Sequence, residues 1–156
     1  MSLVISIITL VGPVFKVSSI FGVRERSIDY VLARRSTLRA LGRGSIQRHE
    51  VCDAQPELMR AALNVGLPKP DSCPVCSEES LVSVLYAFGA KLPSHGRCLT
   101  SAAELEKLAA RSDFPTIVYQ VEVCVKCRWN HLDRVVTKIE EEDGEQIRHS
   151  TGQRTI

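Results

Sequence analysis

Two cysteine pairs of identical spacing, Cys73-Pro74-Val75-Cys76 and Cys124-Val125-Lys126-Cys127, are separated by 47 residues in a chain of 156. A CxxC turn sets two sulfurs about one ligand edge apart, with the backbone amides of the turn free to support them. Two such turns supply the four ligands that a tetrahedral zinc ion takes. A disulfide framework has no reason to prefer this spacing, and a redox dithiol would come with alternating strands and helices that this chain lacks. The pattern therefore predicts Zn2+ held by Cys73, Cys76, Cys124 and Cys127, in a reducing, cytoplasmic setting.

Each pair adjoins a strand pattern. Residues 81–88 (LVSVLYAF) read as a largely buried strand just after the first pair. Residues 116–123 alternate up to the second pair, with Ile117, Tyr119, Val121 and Val123 on one face and Gln120 and Glu122 on the other. Residues 131–139 read as a third strand. Antiparallel pairing of the first two brings the cysteine turns together. Between them, Ser101 and Glu104 form a capping box for a helix with Leu105, Leu108 and Ala109 inward. The fold class that follows is α+β: a small zinc ribbon with a three-stranded antiparallel sheet over residues 67–139, an inserted helix, and an N-terminal helical region.

That helical region spans residues 24–66. Residues 26–41 read as one helix, with Ser27 as its cap, Asp29 in its first turn and Gly42-Arg43-Gly44 as its stop. A second helix is expected over 56–64, entered at Pro56 and closed at Gly66, with Leu58, Ala62 and Val65 inward. Net charge is only +2, yet residues 24–48 hold seven arginines against two acids. Arg34, Arg35, Arg39, Arg43 and Arg48 form a candidate basic face toward nucleic acid or a partner, where the bland alternative is a solvated helix surface. Residues 1–23 are an apolar extension, read as a doubtful start, a disordered or membrane-associated segment, or a signal sequence that lacks a basic leader and a small-residue cleavage site. Membrane contact, if made, runs through that segment alone. Residues 140–156, with Glu140-Glu141-Glu142-Asp143, read as an acidic disordered tail.

Trp129 and His131 follow the second pair directly. His131 is four residues past Cys127, too close to replace it as a ligand without straining the turn. Both are expected to support the site, Trp129 by covering the metal and His131 by donating a ring N–H to a cysteine sulfur or a carbonyl. His49, Cys52, His95 and Cys98 make a second, weaker set of metal-ligand types, with a small buried residue as the plainer reading of Cys52.

The chain resembles a family of small actinobacterial proteins classed as a domain of unknown function. The resemblance is carried by Asp29-Tyr30 with Arg34-Arg35, Glu50-Val51-Cys52-Asp53, Arg60-Ala61-Ala62, Cys73-Pro74-Val75-Cys76, Phe88-Gly89, Glu104-Leu105, Val121-Glu122-Val123-Cys124, and Cys127 with Trp129-Asn130-His131-Leu132. It covers residues 24–136 and implies a cytosolic bacterial protein with no catalytic role. The sequence departs from the family pattern in its first 22 residues and at Cys98, which has no counterpart there.

Function follows from the closed shell. Four thiolates leave no open coordination position, and the H-x-E companion of a zinc deaminase is absent. The expectation is a non-enzymatic zinc-binding adaptor that contacts nucleic acid or a transcription or translation machine, such as RNA polymerase or the ribosome, with no small-molecule substrate. The alternatives are a structural or regulatory protein-binding module without nucleic-acid contact and, behind it, a metal-dependent enzyme. One Trp and three Tyr offer few stacking platforms, so a protein partner competes with direct nucleic-acid contact.

Overall fold

The computed structural model describes residues 25–110 and 116–138. The expected extension at 1–23 and the acidic tail at 140–156 lie outside the described residues. The architecture is α+β, with four helices among the described residues against a six-stranded antiparallel sheet. The strands are β1 (Glu25–Asp29), β2 (Leu67–Pro68), β3 (Leu81–Gly89), β4 (Arg97–Leu99), β5 (Thr116–Cys124) and β6 (Asn130–Lys138). The helices are α1 (Val31–Gly42), α2 (Arg48–Val51), α3 (Pro56–Val65) and α4 (Ala102–Ala110). No helix among the described residues is long and apolar enough to cross a membrane.

The three expected strands are present as β3, β5 and β6. Their register runs Leu81 to Cys124 through Gly89 to Thr116, then Val123 to Asn130. Three further strands widen the sheet to the order β1-β6-β5-β3-β2, with β4 paired to β3. Three strands is therefore an undercount. β2 and β4 are too short to show a periodic signal, at two and three residues.

β1 corrects the expected helix over 26–41. Ser27 is no cap but pairs with Val136, and Ile28 pairs with Val135. The free edge of β6 offers these residues a ladder that helical spacing cannot foresee, and the tertiary partner overrides the local pattern. The helix starts at Val31, whose N–H donates to the Asp29 carboxylate at 3.4 Å. It ends at Gly42, with Gly44 in the left-handed region and Ser45 N–H returning to Ala40 O.

Alternation splits the sheet residues into two faces. On one, Leu85 and Ala87 meet Val118, Val136, Leu99 and the α4 residues Leu105 and Leu108. On the other, Val84 and Val123 meet Ala54, Ala62, Leu58 and Met59, the last three from α3. The α4 capping box is half formed: Glu104 N–H donates to Ser101 Oγ at 3.2 Å, while the Glu104 carboxylate turns to Thr100 and Arg97. A third cluster joins Val51, Cys73, Leu81, Cys124 and Trp129, with Leu38 and Leu41 of α1 packed on it. Burying such side chains stabilises by about 1.5–3 kcal/mol each. This third cluster is what positions the cysteines.

Candidate metal centre

The two cysteine turns are built alike. In the first, Ser77 N–H donates to Cys73 O at 2.9 Å, and Cys73 N–H to Glu78 O at 2.9 Å. In the second, Arg128 N–H donates to Cys124 O at 3.0 Å, and Cys124 N–H to Trp129 O at 2.8 Å. The residue after each second cysteine is left-handed, Ser77 at φ 62° and Arg128 at φ 68°. That conformation reverses the chain within one residue and lets amides point at sulfur. Val75 N–H donates to Cys73 Sγ and Cys127 N–H to Cys124 Sγ, both at 3.4 Å.

The β3–β5 register sets Leu81 opposite Cys124 and so closes the two turns on each other. The sulfurs of Cys73, Cys76, Cys124 and Cys127 all lie within 4.8 Å of one another. Cys73 and Cys127 are 3.6 Å apart, and Cys76 and Cys124 3.7 Å. A tetrahedral zinc with Zn–S bonds of about 2.3 Å requires edges of about 3.8 Å. The donor set and its spacing fit a four-coordinate thiophilic metal ion.

Electrostatics around the sulfurs set Cys124 apart from Cys73 and Cys76, whose thiols burial raises. Burial pushes the Cys73 thiol well up, and its own amide bonds do not overcome it. Burial also acts on Cys124, but the Ser80 hydroxyl at 3.0 Å and the amides of Cys127 and Lys126 outweigh it and lower the thiol to about 7. Of Cys73, Cys76 and Cys124, the last is thus the readiest to give up its proton to a metal ion. Ser80 carries no motif, and nothing in the sequence points to its part in the site.

Trp129 is fully buried in the cluster with Cys73 and Cys124. Its indole N–H donates at 2.8 Å to Glu122 Oε1. Alternation puts Glu122 on the polar face of its strand, yet its side chain is only 1 % exposed. Arg34 of α1 meets it at 2.9 Å and Lys69 at 2.6 Å. Burial alone would raise the Glu122 pKa, but the Lys69 and Trp129 hydrogen bonds and the two cations hold it below the ordinary carboxylate value. A β-bulge lies between Gln120 and Val121 on β5, opposite Asp133 on β6, and Lys69 also reaches the Asp133 carboxylate at 3.3 Å. The one clue in the sequence is a single acid inside an apolar strand ending at a cysteine turn.

His131 stacks flat on Trp129, with ring centroids 5.9 Å apart and an interplanar angle of 9°. Its Nδ1 is buried without a hydrogen-bond partner, so that nitrogen donates to neither a cysteine sulfur nor a carbonyl. Burial lowers its pKa from the ordinary value of 6.5.

The structure separates the remaining candidates. Arg35 and Arg39 are exposed on α1 and Arg43 at its C-terminal cap, whereas Arg34 turns inward to Glu122. Arg48 is exposed, with Cys52 and Cys127 near enough to favour its charged form. Among the described residues the only metal-competent cluster is the four-cysteine one, and it includes none of His49, Cys52, His95 and Cys98. Cys98 instead sits on β4 beside Tyr86.

Cys52, however, lies 3.8 Å from Cys127, sulfur to sulfur. The segment that carries it is strapped to the second turn. Arg128 donates to Ala54 O through Nε at 3.2 Å and through its terminal nitrogen at 2.6 Å, Ala54 N–H donates to Arg128 O at 3.1 Å, and Asn130 Nδ2 donates to Asp53 Oδ1 at 2.9 Å. The Glu-Val-Cys-Asp and Trp-Asn-His stretches, distant in sequence, thus meet at one wall of the metal centre.

The chain is similar to proteins named as uncharacterised from Mycobacterium bovis and from Mycobacterium tuberculosis, each 44% identical over 106 residues, covering 67% of this chain and 76% of the relative. No solved structure matches it. A family model described as a family of unknown function, DUF5318, matches residues 22–152. With its paired cysteine turns and the two stretches that flank them inside that span, the chain belongs to the DUF5318 family.

Proposed function

We propose that the protein is a non-enzymatic adaptor of the reducing cytoplasm, whose ribbon-like core is held by one Zn2+ and whose α1 surface contacts nucleic acid or a nucleic-acid machine. The observation that carries the zinc reading is the mutual approach of four cysteine sulfurs to within 4.8 Å. Four thiolates complete a tetrahedral shell, and a closed shell serves structure rather than Lewis-acid chemistry. Arg35 and Arg39 on α1 and Arg43 at its C-terminal cap supply exposed positive charge suited to phosphates.

A second reading, docking to a protein alone, is favoured by Ile28, Val31 and Leu32, which are 52%, 39% and 75% exposed where β1 passes into α1. One experiment separates the two. The zinc-loaded chain is titrated with single- and double-stranded nucleic acid at rising salt, beside a variant in which Arg35, Arg39 and Arg43 are all replaced by Ala. Phosphate binding predicts affinity that falls linearly on a log–log salt plot, with a slope shallower by about one for each phosphate-bound arginine replaced. Absence of binding, or binding indifferent to both salt and the substitutions, refutes the nucleic-acid reading.

A further inference from the structure

A fifth thiol stands beside the four-cysteine centre. Cys52 Sγ is 3.8 Å from Cys127 Sγ, about as close as the four sulfurs come to one another, at 3.6 Å and 3.7 Å. It is nevertheless outside the set whose sulfurs all lie within 4.8 Å. A tetrahedral shell has no fifth corner, so Cys52 stays a thiol in contact with a coordinated sulfur. Its place is set by four hydrogen bonds that strap residues 53 and 54 to Arg128 and Asn130. Cys52 is only half-buried, and its neighbour Arg48 is exposed, so small solutes reach this corner.

We propose that Cys52 is an oxidant-reactive thiol whose disulfide with Cys127 opens the metal centre. The proposal rests on the four-cysteine metal reading above and adds a modification site to it. A hydroperoxide transfers one oxygen to the Cys52 sulfur: the O–O bond breaks, the thiol becomes a sulfenic acid, and the peroxide leaves as alcohol, or as water if it is hydrogen peroxide. The Cys127 thiolate then attacks that sulfur. An S–S bond forms, the S–OH bond breaks, and the departing hydroxide takes a proton from solvent to give water. The two sulfurs lose two electrons and the hydroperoxide gains them.

The sulfurs need about 1.8 Å of approach to reach a disulfide length of about 2.05 Å. Cys73–Cys127 and Cys76–Cys124 are no farther apart, but in the loaded centre both sulfurs of those pairs are committed to the metal. Cys52 is the uncommitted member. Once Cys127 is consumed, three cysteines remain and the fourth corner of the shell is lost. A thiol reductant reverses the change by exchange.

The test uses the full chain, loaded with zinc, with metal content measured before any oxidant is added. Hydrogen peroxide is then added substoichiometrically beside a chromogenic zinc chelator, and the products are mapped by peptide mass spectrometry. The wild-type chain is expected to lose zinc in step with a Cys52–Cys127 disulfide and to regain it after reduction. Cys52→Ser, and Cys52→Ala where the first folds poorly, should keep their zinc under the same dose, while Cys98→Ser behaves as wild type. Zinc loss from the Cys52 variants at the wild-type rate, or a first disulfide formed within the four ligands, overturns the proposal and leaves the zinc reading intact. A chain that holds no zinc before peroxide overturns both. The wild-type disulfide map needs no variant, so misfolding of a variant does not shield the idea.

Discussion

The Trp129 indole N–H donates to Glu122 Oε1 across 2.8 Å, with the Trp129 side chain wholly and the Glu122 side chain almost wholly removed from water. This bond joins the second cysteine turn to a buried charge that Arg34 and Lys69 neutralise from two other segments. A carboxylate so enclosed is tolerated only while its partners remain, and removing a partner leaves an uncompensated charge.

Glu122→Gln should therefore destabilise the protein by about 3 kcal/mol, read from chemical denaturation at constant zinc. The folded pKa of Glu122 is depressed, so its contribution is fully present above the ordinary carboxyl value of 4.5 and disappears as pH falls through the folded value. The gap between wild type and E122Q should accordingly persist at every pH above 4.5. A gap that closes nearer neutrality would show that Glu122 is not held ionised by these partners.

His131 shares that sign of proton linkage but acts in a higher pH window. Its folded pKa is lowered by burial, so the neutral ring is the folded form. Its contribution is complete above 6.5 and declines as pH falls from there toward the folded value. His131→Phe keeps a flat ring against Trp129 and should remove that decline. His131→Ala loses the stack and should lower stability by about 1 kcal/mol at neutral pH while metal content stays at the wild-type level. Loss of zinc in H131A would restore the idea that His131 supports the ligands directly.

Ser80 offers a milder probe of the centre than a ligand substitution. Its hydroxyl lies 3.0 Å from Cys124 Sγ and helps bring that thiol down to about 7. Ser80→Ala should raise the Cys124 pKa and weaken zinc affinity by about 10-fold, measured by chelator competition. The deficit should grow as pH falls toward 7 and below, where protons compete for the sulfur. Cys124→Ser, by contrast, should abolish stoichiometric binding at every pH.

The two left-handed residues should answer differently to glycine. Ser77 is exposed at φ 62°, and Ser77→Gly relieves a backbone cost of about 1 kcal/mol, so the melting temperature should rise. Arg128 has a similar φ of 68° but holds Ala54 O with two donors. Arg128→Gly should lower the melting temperature, because the missing bonds outweigh the relieved strain. Equal responses at the two positions would deny the strap its role.

Legibility followed the range of the interactions. The four cysteines, the β3–β5–β6 order and α3 were readable because each rests on local spacing or on alternation over nine or ten residues. β1 was not, since Ser27 and Ile28 become a strand only by meeting Val136 and Val135, more than a hundred positions along. The burial of Glu122 escaped for a related reason. Alternation tells which residues share a face but not that Arg34 and Lys69 arrive on it. Cys52 read as a small core residue because its neighbour, Cys127, is 75 positions away.

The strap between residues 53–54 and 128–130 carries one further consequence. Those bonds, with the Arg34–Glu122 pair, tie the helical segment before the first cysteine turn to the sheet after the second. A chelator that empties the centre then removes the anchor of α1 and α3 together with that of β5 and β6. Hydrogen exchange should show all four elements opening in one cooperative unit, with no surviving subset of protected amides.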